Sequence, residues 1–153
     1  MPAPFIHLNV HSEYSLSDSL LRVDALIARV VELKMPAVAL TDRMNVFALA
    51  KFYRAAEARG IKPIIGADVQ LLNPQDPASP HRITLLCRDH AGYLNLSRLL
   101  TRAYLEANGQ YGAQISREWF ATLGDGLFAL LGRQSALAAI DDEGMRAQEI
   151  GFW

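Results

Sequence analysis

Apolar residues recur along the chain with two different spacings. In segment 22–34 they fall at helical intervals, for example at Val23, Ile27 and Val30, which is the pattern of an amphipathic helix. Short and nearly continuous apolar runs, such as PAVALT at residues 36–41, lie between the helical segments. Runs of this kind are typical of strands that are covered on both faces.

The two spacings predict an alternation of strands and helices. Strands are expected over residues 5–10, 36–41, 63–72, 82–87 and 126–131. Helices are expected over residues 22–34, 45–59, 91–107 and 116–123, followed by a helix-prone tail from residue 135. Such alternation predicts parallel strands joined by crossover helices. We therefore expect an α/β fold with about five parallel strands, built as a single domain over residues 1–153.

Turn residues mark both ends of the second predicted helix. Asn45 is expected to act as its N-cap, because a short polar side chain can accept a hydrogen bond from the first helical turn. Gly60, with Pro63 shortly after it, is the usual arrangement for ending a helix.

Composition narrows the class of protein. Hydrophobic residues make up 51% of the chain and charged residues 20%, which is typical of a globular protein with a core. The net charge of −1 provides no basic surface for direct DNA binding. No apolar run approaches the ~20 residues that span a bilayer, so no membrane contact is expected. A single cysteine, Cys87, and the lack of a signal-peptide pattern predict a cytoplasmic location.

Polar residues cluster in and after the first predicted strand. In a strand, side chains at alternate positions share a face, so His7, Asn9 and His11 are expected on one side. Asp18 follows in a loop that can fold back over them. Imidazole and carboxylate groups are the ligands of zinc and manganese sites, although the neutral amide of Asn9 is a poor ligand for zinc.

Five blocks of sequence carry a resemblance to a known family. In chain order they are HLNVHSEYSLSDS, MPAVALTDRMNV, KFYRAAEARGIKPIIGADV, ITLLCRDHAGYLNLSRLL and GLFALLG. Over about residues 5–133 the chain resembles the N-terminal polymerase-and-histidinol-phosphatase (PHP) domain of bacterial DNA polymerase III alpha subunits. The resemblance implies the first part of a distorted seven-stranded, TIM-like β/α barrel, with a closing Asp-x-His motif expected beyond residue 153.

The resemblance also implies a pocket that has lost most of its metal ligands. The family's ligand and pocket positions fall on His7, Asn9, His11, Asp18, Asp42, Arg43, Asp68, Arg82 and Arg133. Three of these positions carry arginine, which stays protonated and has no lone pair to offer a metal ion. We therefore expect guanidinium–carboxylate pairs instead of metal ions. His11, Asp18 and Asp68 remain as weak candidates for binding zinc or manganese.

Two functions follow from the resemblance. The first is a structural segment of the replicative polymerase, which contacts the remainder of the alpha chain and docks the proofreading exonuclease subunit. Magnesium and DNA would then be bound only by the parent enzyme. The alternative is a metal-dependent phosphoesterase or pyrophosphatase. An incomplete barrel would also leave unpaired strand edges, which predicts that the isolated segment self-associates.

Overall fold

The computed structural model describes residues 5–107, 109–135, 140 and 143–152. The helices are α1 (Val23–Glu32), α2 (Leu49–Glu57), α3 (His90–Leu105), α4 (Phe120–Leu123) and α5 (Glu143–Phe152). The strands are β1 (Ala37–Leu40), β2 (Lys62–Leu71), β3 (His81–Cys87) and β4 (Leu127–Leu130). Two 3-10 helices span Glu13–Asp18 and Arg117–Trp119. In the helix-prone tail, α5 forms over Glu143–Phe152, and residues 136–139, 141–142 and 153 lie outside the described residues.

The strands form a mixed sheet, which makes the chain an α/β protein. The strand order is β1-β2-β3-β4. Strands β1 and β2 pair in parallel, with Val38 opposite Pro63. Strands β3 and β4 pair antiparallel, with Leu85 opposite Ala129. The prediction that all strands run parallel is therefore wrong for this last pair, and the described residues form four strands rather than five.

The missing strand is the predicted one over residues 5–10. The segment does run beside β1, because the N–H groups of Ala39 and Thr41 donate to the carbonyl oxygens of His7 and Val10, each at 2.8 Å. The hydrogen bond in the other direction, from this segment to β1, does not end on a backbone carbonyl. Here the Val10 N–H donates to the hydroxyl Oγ1 of Thr41 at 3.0 Å. A side chain thus replaces one backbone partner, and the segment does not form a regular ladder.

An additional pass of the chain lies beside the end of β2. Between α3 and β4, Ile115 lies beside the end of β2, where its N–H donates to the Gln70 carbonyl at 2.8 Å and its carbonyl accepts from Leu72 N–H at 3.0 Å. Strand β4 then returns alongside β3. The loop 72–80 between β2 and β3 contains no helix, and it is shorter than the dozen or so residues that a parallel crossover needs.

The chain divides into two compact units, Met1–Asp68 and Val69–Trp153. In the first unit the buried faces of α1 and α2 pack with β1, and the core includes Ile27, Val38 and Phe52. The amphipathic pattern of residues 22–34 therefore predicted the buried face of α1. In the second unit α3 packs on β3, and Leu96 and Leu85 are among the fully buried residues.

The start of α2 differs from the sequence prediction. The helix begins at Leu49, with Ala48 at the N-cap position and no side-chain cap. Asn45 instead stabilises the preceding turn, where its amide donates to the carbonyl oxygens of Tyr14 and Arg43. The predicted end of the helix is confirmed, because Gly60 follows it with a φ of +69°, a conformation that favours glycine.

Candidate functional site

The candidate site lies in the first unit, where β1 ends beside Asp68 of β2. Its residues come from the 3-10 helix and the segment before it, from the turn after β1, and from Asp68. The parallel pairing of β1 and β2 continues to this point through an isolated bridge between Arg43 and Asp68. The Asp68 N–H donates to the Asp42 carbonyl at 3.1 Å, and the Met44 N–H donates to the Asp68 carbonyl at 2.9 Å. Strand pairing therefore brings together residues that are far apart in the sequence.

Asp42 is buried at the centre of this site and its carboxylate is fully engaged. Oδ1 accepts hydrogen bonds from the Ser12 N–H at 2.6 Å and from the Ser15 hydroxyl at 2.7 Å. Oδ2 accepts from the Ser12 hydroxyl at 2.8 Å. The residue is only 2% exposed, and a buried carboxylate is tolerated when donors satisfy it. Asp42 thus fastens the 3-10 helix to the end of β1.

Arg43 extends from the same turn to the opposite end of the 3-10 helix. Its Nη1 atom lies 3.2 Å from Oδ1 and 3.1 Å from Oδ2 of Asp18. Its backbone N–H donates to the Ser15 hydroxyl at 3.0 Å. The two charged side chains are 34% and 24% exposed, so solvent screens the pair and its contribution to stability is about 1 kcal/mol or less.

His11 lies between two carboxylates. Its Nε2 atom is 3.1 Å from Oδ2 of Asp68, within hydrogen-bonding distance. Its Nδ1 atom is 3.9 Å from Oδ2 of Asp18, which is too long for a hydrogen bond. The resulting order is Asp68, His11, Asp18 and Arg43, which is a line of alternating acidic and basic groups. This arrangement holds the segments that carry the four residues together through direct side-chain contacts.

The remaining predicted pocket residues are His7, Asn9, Arg82 and Arg133. His7 and Asn9 are exposed, and the His7 ring packs edge-on against Phe5 with 4.8 Å between ring centroids. Because residues 5–10 do not form a regular strand, alternation does not place His7, Asn9 and His11 on a common face. Arg82 and Arg133 belong to the second unit. Arg82 lies in β3, and Arg133 is exposed in the turn after β4.

The hydrogen bonds that Ser12, Ser15 and Asn45 make in this site were not predicted. For the two serines, the signal in the sequence is their three-residue spacing in HSEYS. This spacing places both side chains on the same side of a helical turn, where they can reach one acceptor. Two non-glycine residues beside them have a positive φ, Leu16 at 58° and Met44 at 53°. Such conformations persist where the surrounding contacts over-determine them, and they are enriched at functional sites.

The donor set does not fit a cluster of metal ions. Both oxygens of Asp42 are occupied by serine donors, and both oxygens of Asp18 face the Arg43 guanidinium. Among the described residues of this site, the remaining candidates are His11 and Asp68, which contact each other, and two ligands do not form a multi-metal centre. Within the described residues there is no group of three or more His, Cys, Asp or Glu side chains that could hold a metal ion.

The described helices all fall short of the length and apolar character that a bilayer span needs.

Solved structures share the fold. An amidohydrolase from Chromobacterium violaceum, described with bound sulfate and no metal, is 28% identical, with a TM-score of 0.52 over 65% of this chain and 33% of that chain. A putative metal-dependent phosphoesterase from Bifidobacterium adolescentis has a TM-score of 0.52 over 80% of this chain and 51% of that chain. The second is only 14% identical, so it shows the fold alone.

Curated relatives and a family model agree on the family. The DNA polymerase III alpha subunit of Xylella fastidiosa strain Temecula1 is 43% identical over 97% of this chain, which spans only 14% of that relative. The alpha subunit of Pseudomonas fluorescens is 45% identical over 85% of this chain, and that of Escherichia coli K12 is 40% identical over 84% of it. The chain covers 11% of the length of each of these two relatives. The resemblance found in the sequence is therefore confirmed. Because the PHP domain model matches residues 7–146, the chain belongs to the PHP domain family.

Proposed function

We propose that this chain is the PHP segment of a bacterial replicative DNA polymerase III alpha subunit and that it acts as a structural and docking module without hydrolytic activity of its own. Alpha subunits 40–45% identical to the chain support the assignment. The chain spans 11–14% of the length of those relatives. Polymerisation, its magnesium ions and contact with DNA are therefore assigned to the remainder of the polypeptide.

The contact between Arg43 and Asp18 is the observation that carries the structural part of the proposal. The resemblance implies a metal-binding histidine at position 43. Here a guanidinium faces both oxygens of Asp18 at 3.1 and 3.2 Å. A guanidinium has no lone pair for a metal ion, and its charge repels a divalent cation. Arginine at position 43 therefore replaces one metal ligand, and its guanidinium occupies the carboxylate of Asp18, which is a second potential ligand.

The hydrogen bonds of the site support a bracing role. Asp42 joins the end of β1 to Ser12 and Ser15, and His11 joins the segment before the 3-10 helix to Asp68 in β2. Three stretches of the chain that are distant in sequence are thereby held in one arrangement. A fixed arrangement of loops at the end of a sheet is what a docking platform requires.

The proposed partners are the remainder of the alpha chain and the proofreading exonuclease subunit, in the cytoplasm. Both come from the resemblance to alpha subunits. Gel filtration of the full-length subunit with the exonuclease subunit of the same bacterium tests the docking role. We expect the two proteins to co-elute and hydrogen exchange in residues 5–107 to slow in the complex. Separate elution, or exchange that slows only outside residues 5–153, would contradict docking on this segment.

The hydrolase alternative would need His11, Asp18 and Asp68 as ligands. Metal analysis of the full-length protein, purified without chelator, separates the two functions. We expect zinc and manganese far below one ion per chain and no hydrolysis of a model phosphodiester. Stoichiometric metal, lost together with hydrolysis in His11→Ala but kept in the exposed control His7→Ala, would overturn the structural role.

A further inference from the structure

A cavity of about 330 Å³ lies beside the end of β2, where Ile115 makes its pass. Pockets that bind small molecules have volumes of about 300–1,000 Å³, so this one has room for a small ligand. Its walls come from the loop after β2, the end of α3 and the segment that leads to the second 3-10 helix. They include Leu72, Pro77, Glu106, Gln114, Ser116 and Trp119, which all belong to the second unit.

The pass of the chain at Ile115 directs two polar side chains towards this cavity. Ile115 is fully buried, and its backbone bonds to Gln70 and Leu72 on β2 and just after it. In extended chain the side chains on either side of a residue point away from that residue's own side chain. Gln114 and Ser116 therefore face away from the core, and both of them line the cavity.

The amide of Gln114 contains an acceptor without a donor. Its Nε2 atom donates to the Pro77 carbonyl at 2.8 Å and lies 3.4 Å from the Tyr111 carbonyl. Because both of these partners are acceptors, they fix the nitrogen on their side and the oxygen on the other. The Oε1 atom is buried and accepts no hydrogen bond from any residue that the structure describes. Such an acceptor is unfavourable until a donor reaches it.

Trp119 gives the cavity an aromatic wall whose electrostatic surroundings are balanced. The Arg102 guanidinium carbon lies over the indole, 4.2 Å from the ring centroid. Its Nε atom also donates to Oε1 of Glu106 at 2.7 Å. A cationic ligand would be repelled by Arg102, and an anionic ligand would be repelled by Glu106. A neutral planar ring avoids both costs and packs well against an aromatic side chain.

We propose that this cavity binds a neutral, planar nitrogen heterocycle that carries an amino group, of which the adenine ring is an example. The ring packs against Trp119 and Leu72, and its amino group donates to Oε1 of Gln114. A ring without the amino group leaves that oxygen unpaired. Binding here does not require the proposed function, because the described lining residues all belong to the second unit.

Two nucleosides that differ by the amino group test the proposal on the unmodified full-length protein. Equilibrium dialysis compares adenosine with purine riboside, which lacks that group. We expect saturable adenosine binding with a dissociation constant below about 1 mM, as a ligand of this size allows. Purine riboside should bind about tenfold more weakly, because Oε1 of Gln114 stays unpaired. Photocrosslinking with 2-azidoadenosine should label peptides that contain residues 72–77 or 111–119, and excess adenosine should prevent the labelling.

Variants of the cavity wall separate the two contacts. Trp119→Leu removes the aromatic wall and should weaken adenosine binding about tenfold. Tyr104→Leu is the matched control, because Tyr104 is 54% exposed on α3 and is not among the described residues that line the cavity. It should leave the dissociation constant unchanged. Gln114→Leu should abolish the preference for adenosine over purine riboside, and circular dichroism checks that each variant is folded.

Three results would overturn the inference. The first is equal binding of adenosine and purine riboside to the unmodified protein. The second is crosslinking that occurs only outside residues 72–119. The third is the absence of saturable binding, which is also the result expected if another part of the full-length polypeptide fills the cavity. All three leave the proposed function intact, because they concern no residue of the ion-pair site.

Discussion

Gly92 in α3 lies so close to Gly126 that a β-carbon on Gly92 would come within 1.8 Å of the Gly126 carbonyl oxygen. The same carbonyl accepts the Arg88 N–H at 2.9 Å, and Asp89 accepts the Gly92 N–H at 3.0 Å as the N-cap of α3. The start of α3 is therefore fixed against the turn before β4. No side chain fits at Gly92 unless this backbone contact opens.

Gly92→Ala is expected to destabilise the protein by about 3 kcal/mol, at the upper end of the cost of overpacking, because backbone has to move to make room. Urea denaturation measures the loss. Gly132→Ala is the matched control, since no heavy atom lies within 4 Å of a β-carbon built there. It should stay within about 0.5 kcal/mol of the original chain. Equal effects of the two substitutions would show that the Gly92 contact is not tight in solution.

Most of the helices and strands could be predicted from local patterns, but the relative directions of the strands could not. Residues 22–34 and 36–41 carried the periodicities of α1 and β1, and both elements are present. Strands β3 and β4 pair antiparallel and Ile115 makes an extra pass beside β2, and no local pattern in the sequence encodes which strand a single residue bridges. The loop 72–80 was a missed signal, because it is too short for a parallel crossover.

The charge pairing in the site could be predicted from the sequence, but its hydrogen bonds could not. Arg43 was expected to pair with a carboxylate, and its partner is Asp18. The three donors on Asp42 could not be foreseen, because they depend on the 3-10 turn that places Ser12 and Ser15 on one carboxylate. Asn45 was assigned to a helix cap for which its side chain is suited, but the longer-range bond to Tyr14 takes that side chain away.

Asp42→Asn tests whether the buried carboxylate holds the site together. The amide keeps one acceptor oxygen but places a donor against a serine donor, and hydrogen bonds to a charged group contribute about 1.5–3 kcal/mol. We expect a loss of about 3 kcal/mol in urea denaturation. Asp18→Asn, at the partly exposed pair with Arg43, should cost about 1 kcal/mol or less. If Asp42→Asn were as mild as Asp18→Asn, Asp42 would not be the fastening point.

Arg43→His tests whether the arginine excludes metal ions. The substitution removes a positive charge, adds an imidazole ligand and releases Asp18 to join His11. A unit charge about 5 Å from a divalent cation costs about 1.7 kcal/mol even in water, so zinc affinity should rise at least about tenfold. Isothermal titration calorimetry of the full-length protein measures it. Arg43→Gln removes the charge without adding a ligand and should give a smaller gain. No gain in either variant would mean that Arg43 does not control metal binding.

Cys87 at the end of β3 should be nearly inert towards alkylation near neutral pH. Burial, together with the negative charge of Asp89, raises the pKa of its thiol from the ordinary value of 9.0 to about 11. Only the thiolate reacts, so at about pH 8 the rate should be about a hundredfold below that of an unperturbed thiol. The rate should keep rising as the pH increases past 9, where an ordinary thiol levels off. Mass spectrometry of iodoacetamide-treated protein follows the reaction.

The control for Cys87 uses the neighbouring carboxylate. Asp89→Asn keeps a residue that can cap α3 while it removes the charge that disfavours the Cys87 thiolate. Alkylation should therefore become moderately faster at every pH below 11, and the larger part of the slowing should remain because burial is unchanged. Alkylation of the original chain that levels off near pH 9 would show instead that the thiol is solvated and that β3 is open at its end.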